Sequence, residues 1–291
     1  MKKRARSPLA YPGGKTTVCA ELCDMMDSLD WTEFREPFCG GACVSLEMMR
    51  RHPQRTFWLN DKDINVFAFW HTLREQPDWF CAEVRELWEG PGIEKLRDPQ
   101  CYLDRHGRSL DRLELPVRAL DTYIKGRLAW AGGATSGPHQ SLRRKAGEKH
   151  AEDLKEWATL LRSRAVRITN FDWFDVAAAA DPRTMLFADP PFEGDKFNHL
   201  YDHDQAGFDF RDLFGGLALS AAHSLTTVIC REEHYSGFSY YRNQMEVKYG
   251  LARLDGRPMP VNLETLLSTF PLRDDVLLIQ LRPNFRASRT G

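Results

Sequence analysis

Phe34-Arg35-Glu36-Pro37-Phe38-Cys39-Gly40-Gly41-Ala42 leads into an apolar segment from about Cys43 to Arg50, and the fold is read from this stretch. A strand, a glycine turn and a helix make the first unit of a doubly wound nucleotide-binding fold. The turn does not follow the G-x-G-x-x-G fingerprint, which argues against a nicotinamide dinucleotide. Roughly twenty residues further on, Arg55-Thr56-Phe57-Trp58-Leu59-Asn60-Asp61 reads as a second strand with an acid at its end. Such folds place there a carboxylate that accepts from ribose hydroxyls. Asp61 reads equally as the N-cap of a helix beginning near Lys62, and the two roles are compatible.

Two further motifs flank this unit. Upstream, Tyr11-Pro12-Gly13-Gly14-Lys15 precedes a helical pattern in which Val18, Leu22, Met25, Met26 and Leu29 share a face. Glycines at a helix entrance admit a ligand close to the backbone, and Lys15 adds a positive charge there. Gly-Gly-Lys is too short for a P-loop, and no second phosphate motif accompanies it. Downstream, the apolar run Met185-Leu186-Phe187 ends in Ala188-Asp189-Pro190-Pro191-Phe192. This sets an acceptor, a rigid turn and a flat ring side by side, the set needed to alkylate a nucleobase amine. The prolines supply no N–H, and a ring stacked on a base contributes about 1–3 kcal/mol on single strands. On its own the tetrapeptide fits equally well a strand that stops at a Pro-Pro turn with a buried Phe.

Tyr11–Lys15, Glu36–Gly41, Asn60-Asp61 and Asp189–Phe192, in that order, resemble the Dam-like class of S-adenosylmethionine-dependent DNA adenine-N6 methyltransferases across nearly the whole chain. The resemblance implies S-adenosylmethionine as cofactor, S-adenosylhomocysteine as product, no metal, and double-stranded DNA as partner in the cytoplasm of a prokaryotic or phage-infected cell. It implies transfer to the N6 amine of a flipped-out adenine, with Asp189, Pro190 and Phe192 catalytic. Tyr11, Gly13, Lys15, Glu36, Phe38, Gly40, Asp61, Asp172 and Asp189 carry over as cofactor residues. Among them Lys15 goes to the methionine carboxylate, Glu36, Phe38 and Gly40 to the methionine and its turn, Asp61 to the ribose and Tyr11 to the ring. Asp172, in Phe171-Asp172-Trp173-Phe174, stands where relatives hold the adenine, and it reads equally as a helix cap. Phe197 and Tyr201 would wall the base pocket, with loop packing as the competing role. Two departures stand out. The family's Tyr is replaced by Phe192, which keeps a stacking face and loses a hydroxyl. Gly126–Ser136 only loosely resembles the family's Asn-Arg recognition loop, so the relatives' target sequence does not transfer.

The coarse organisation is α/β, a Rossmann-like methyltransferase sheet with an inserted, mainly helical target-recognition domain. Residues 1–70 and 165–291 alternate strands and helices, with strands at Ala165–Asn170, Thr226–Cys230 and Asp274–Leu281. Residues 71–164 read as the helical insert, with Trp79, Val84, Leu87 and Trp88 on one helix face and Leu154, Trp157, Leu160 and Leu161 on another. A net charge of −1 is awkward for a DNA binder, but residues 105–149 carry ten Lys/Arg against four acids, and four more basic residues open the chain. That footprint assigns phosphate contacts to Arg127, Ser136, Arg143, Arg144 and Lys145, against the alternative of a solvated helix face. The seven cysteines are scattered and lack zinc-site spacing, as expected of core thiols in a reducing compartment. No apolar run is long enough to span a bilayer, and the basic start lacks the apolar region of a signal peptide. The competing functional classes are an RNA adenine methyltransferase, a methyltransferase of side-chain amides and a non-catalytic DNA-binding relative. The basic insert argues against the second, the intact acceptor motif against the third.

Overall fold

The apolar runs assemble into a seven-stranded sheet in the computed structural model, which describes residues 7–89, 114–128, 147–178, 180–191, 209–220, 224–230, 241–248 and 261–270. The strands are β1 (Glu33–Glu36), β2 (Thr56–Asn60), β3 (Ala165–Thr169), β4 (Thr184–Ala188), β5 (Leu225–Cys230), β6 (Tyr241–Lys248) and β7 (Val261–Ser268). Their spatial order is β3-β2-β1-β4-β5-β7-β6. The first five in that order are parallel, and β7 runs antiparallel between β5 and β6. The chain lays β1, β2 and β3 outward in one direction, then returns to place β4 on the other side of β1. That reversal opens a crevice at the carboxyl ends of β1 and β4, where such sheets bind ligands.

Period-two alternation sends each strand's side chains into two cores. In β4, which is buried at every residue, Met185 and Phe187 enter one core and Leu186 and Ala188 the other. A parallel strand covered on both faces reads as an unbroken apolar run, and Met185–Ala188 is one. The larger core holds α1 (Cys19–Asp27), α2 (Cys43–Arg51), α3 (Ile64–Glu75), α4 (Pro77–Glu89), α5 (Leu115–Leu128) and α6 (Gly147–Arg162). The smaller holds α7 (Trp173–Ala177) and α8 (Phe210–Ser220).

The helices between β2 and β3 share the larger core with the sheet. Phe80 and Val84 of α4, Tyr123 and Ile124 of α5, and Leu154 and Leu161 of α6 lie in one cluster with Phe34, Phe57 and Phe187. Phe69 stacks on Tyr123 at 6.0 Å, with Phe80 edge-on to both. Trp88 and Trp157 are buried, while Trp79, Leu87 and Leu160 pack at the margin, so these faces are core, as their spacing predicts. In α5, Arg118 and Lys125 are also buried, and Arg118 donates to Asn65 Oδ1 at 2.9 Å. Those two charges of the basic stretch therefore face protein, not solvent. The strand expected at Asp274–Leu281 lies outside the described residues.

Candidate active site

The motifs, scattered along the chain, meet at one edge of the sheet because parallel strands present their carboxyl ends together. Glu36 ends β1, Asp61 follows β2, Asp172 lies just beyond β3, and Asp189 and Pro190 follow β4. Onto this edge the N-terminal segment brings Lys15. Its Nζ donates to the Gly13 carbonyl at 2.9 Å and pairs with Asp189 Oδ2 at 2.7 Å. The Lys15 side chain is 3% exposed and that of Asp189 17%. Burial pushes the Asp189 carboxyl above its usual range, and the Lys15 ammonium works against that push.

The glycine turn is held from several sides. Asp61 Oδ2 accepts the Gly40 N–H at 2.8 Å and its Oδ1 accepts the Asp63 N–H at 2.9 Å. Trp70 Nε1 donates to the Gly40 carbonyl at 2.8 Å. Gly40 has φ +43°, and a Cβ there would fall 2.7 Å from Cδ1 of Tyr11, so the Tyr11 ring lies directly against the turn. Ala42 takes φ +49°, a left-handed conformation that costs a residue with a Cβ about 1–2 kcal/mol. Burial raises the Asp61 carboxyl to about 7, with the Asp63 charge adding to the shift and the two N–H donors opposing it. Glu36, buried and bonded by the Ser45 hydroxyl, is raised well above the ordinary range, chiefly by burial.

Beneath the crevice Asn60, fully buried, ties three strand ends together. Its Nδ2 donates to the Pro37 and Phe171 carbonyls, each at 3.0 Å. Its Oδ1 accepts from Thr169 Oγ1 at 2.7 Å and from the Phe171 N–H at 2.8 Å. All four bonding positions of the amide are thus used. At the open margin, Phe171 and Phe174 are each 42% exposed, and Phe38 stacks on Trp173 at 6.4 Å. Asp172 caps α7 by accepting the Phe174 N–H and pairs with Lys62 at 3.0 Å. Burial disfavours its charge, but those two partners outweigh burial and hold the carboxyl below its usual range.

The N-terminal segment is in turn held by the helical layer. Arg127 Nη2 donates to the Pro8 carbonyl at 2.7 Å, and its guanidinium stands 5.3 Å from the Tyr123 ring. A Cβ on Gly126 would meet the Ala10 carbonyl oxygen at 2.7 Å, so only glycine lets α5 approach the strap this closely. Residues 7–15 are therefore pinned to α5 at one end and reach Gly40 and Asp189 at the other.

Among the residues expected from sequence, Tyr11, Gly13, Lys15, Glu36, Phe38, Gly40, Asp61, Asp172, Asp189 and Pro190 come to this edge. Phe192, Phe197, Tyr201, Ser136, Arg143, Arg144 and Lys145 lie outside the described residues. The N-cap of α3 is Asp63, which accepts the Asn65 N–H at 2.8 Å, and not Asp61. The signal was present in the chain, since a cap stands immediately before the first apolar residue of the pattern, here Ile64. Ser45, Trp70 and the amide role of Asn60 had no sequence signal, because each acts on backbone brought close only by folding. Among the described residues no His/Cys/Asp/Glu cluster could hold a metal ion, and no helix is long and apolar enough to cross a membrane.

The arrangement fits S-adenosylmethionine. Buried carboxyl groups stand at the end of β1 (Glu36) and just after β2 (Asp61), the type of acceptor that a cationic amine and ribose hydroxyls need. Two of the three exposed large apolar residues among those described, Phe171 and Phe174, stand at the same edge. A family model described as D12 class N6 adenine-specific DNA methyltransferase matches residues 11–217. No curated protein matches the chain.

Proposed function

The chain belongs to the D12 class N6 adenine-specific DNA methyltransferases, enzymes that use S-adenosylmethionine, and from that premise we propose which residues carry the reaction. The observation that supports the assignment is the convergence of Glu36, Asp61 and Asp189 at the switch point, with Lys15 on Asp189 at 2.7 Å. Glu36, Phe38, Gly13 and Gly40 would hold the methionine part of the cofactor, Asp61 the ribose, and Phe171, Phe174 and Asp172 the adenine. Tyr11 backs the glycine turn. When bound, the cofactor supplies a methyl activated by a sulfonium.

The exocyclic amine of adenine is a poor nucleophile because its lone pair is delocalised into the ring. The Asp189 carboxylate and the Pro190 carbonyl are both acceptors. Each takes one N–H of the amine, which holds the nitrogen in place and turns its lone pair toward the methyl. Positive charge that develops on nitrogen is stabilised by the same carboxylate, so catalysis is positioning plus electrostatics. The target amine is inaccessible inside a duplex, so the adenine is flipped out and stacked on Phe192, with Phe197 and Tyr201 as pocket walls. Ser136, Arg143, Arg144 and Lys145 contact phosphates of double-stranded DNA. The enzyme works where that DNA is, in the cytoplasm of a prokaryotic or phage-infected cell.

The test is methyl transfer from labelled S-adenosylmethionine to unmethylated genomic DNA, with modification mapping and Asp189→Ala alongside. N6-methyladenine at one short motif, lost in the variant while cofactor binding persists, is the expected result. Transfer by Asp189→Ala at the wild-type rate would overturn the assignment of Asp189. Faster transfer to structured RNA than to duplex DNA would overturn duplex DNA as the preferred substrate.

A further inference from the structure

We infer that Lys15 is a positioning residue for the acceptor carboxylate: it keeps Asp189 ionised and oriented, and so sets the lower pH limit of methyl transfer. This rests on the reading of Asp189 as the amine acceptor. The geometry points to it directly. Lys15 Nζ lies 2.7 Å from Asp189 Oδ2, and the ammonium is anchored on the other side by the Gly13 carbonyl at 2.9 Å. The bond to Lys15 engages Oδ2 and assigns the substrate amine to Oδ1.

The surroundings explain why the carboxylate needs a cation. Besides Lys15, the titratable groups that face Asp189 among the described residues are Glu36 at the end of β1 and Cys43 at the start of α2. The Asp189 charge pushes both of them up, and neither supplies positive charge. Burial acts on Asp189 in the same direction, toward the neutral acid. Protonated, the group presents a donor toward an amine that needs an acceptor. A neighbouring cation lowers a carboxylate by about 1–3 pH units. Lys15 does so here, reaching Asp189 from a segment distant in sequence.

The sign follows from the group. Deleting the Lys15 charge raises the Asp189 midpoint, so transfer is lost at pH values where the wild type is fully active and returns as pH rises through the new midpoint. In Lys15→Met the acidic limb of the single-turnover methyl-transfer rate moves up by about 1–3 units, which is about 10- to 1,000-fold slower transfer below both midpoints. Lys15→Arg keeps that limb near the wild-type position, whatever its plateau rate. S-adenosylhomocysteine binding, measured by calorimetry, stays within about threefold of wild type. Lys15→Gln, which can still donate to Gly13, carries the experiment if thermal melting shows Lys15→Met to be unfolded.

A uniform loss of rate with an unmoved acidic limb overturns the inference. So does a loss of S-adenosylhomocysteine affinity of about tenfold or more with an unmoved limb, which assigns Lys15 to the cofactor carboxylate. Asp189→Ala, which removes the acceptor, separates the two levels. Its inactivity at every pH, beside an unmoved Lys15→Met limb, sinks the role of Lys15 alone. Activity in Asp189→Ala removes the reading beneath it, and the inference with it.

Discussion

Replacing Asn60 by Asp changes one atom and should turn a structural clamp into a pH-dependent fault. In the wild type, Nδ2 donates to two carbonyls at 3.0 Å and the residue has no exposure. An aspartate oxygen in that place would face the Pro37 and Phe171 carbonyls as a third acceptor. Protonated, the acid can donate to one of them and leaves the other unmet, costing about 1–3 kcal/mol. Ionised, it meets both repulsively in a buried site, so its folded-state pKa rises about three units above the unfolded value near 3.9. The folded variant then binds more protons than the unfolded chain between those values, and its stability falls as pH rises through that window. At about 1.4 kcal/mol per unit, the variant loses roughly 3 kcal/mol relative to wild type between about pH 5 and pH 8. Urea denaturation followed by tryptophan fluorescence at several pH values measures this, and taking the difference from wild type cancels titrations common to both. A difference that is constant with pH, or below about 1 kcal/mol throughout, would show that Asn60 does not clamp the strand ends.

Asp61→Asn probes the neighbouring carboxyl, which burial raises to about 7. Because that folded value exceeds the unfolded one near 3.9, wild-type stability declines as pH rises across that window, and the Asn variant lacks the decline. The stability advantage of wild type over the variant should therefore shrink by roughly 3 kcal/mol between about pH 4 and pH 7 in denaturant titrations, and an advantage that grows with pH would contradict the shift. Arg127→Gln removes the bond to Pro8 that pins the strap to α5. We expect a loss of about 1.5–3 kcal/mol in stability with the salt dependence of DNA binding unchanged. A slope reduced by about one in a log–log plot would instead make Arg127 a phosphate contact.

These residues show how the helical layer and the reaction edge are joined. Gly126 and Arg127 open the segment compared with the recognition loop, yet the structure turns both toward the N-terminal strap. That strap carries Tyr11 to the glycine turn and Lys15 to Asp189. The strap thus links α5, through the Arg127–Pro8 hydrogen bond, to the acceptor carboxylate, through the Lys15–Asp189 ion pair.

The chain by itself determined a good deal. Strand and helix periods locate β1 to β5 and α1, α2, α4 and α6, because burial on one or both faces leaves a local imprint on residue type. The motif residues Glu36, Asp61 and Asp189 are legible for the same local reason, each at or just past a strand end, with Gly40 in the turn that follows β1. The alternating strands β6 and β7 had no reading, since their polar-apolar patterns resemble ordinary surface segments until the pairing partner is known. What only tertiary structure decided is which side chains meet. Lys15 and Asp189 are far apart in sequence, so no spacing could reveal an ion pair made by a strap crossing to the end of β4. The burial of Arg118 and Lys125 escaped a count of charges, because a sum over sequence does not record which face of a helix is covered. Asn60 is a polar residue at a strand end like many others, and its four bonds exist only because parallel pairing brings the ends of β1, β2 and β3 to one place, away from water.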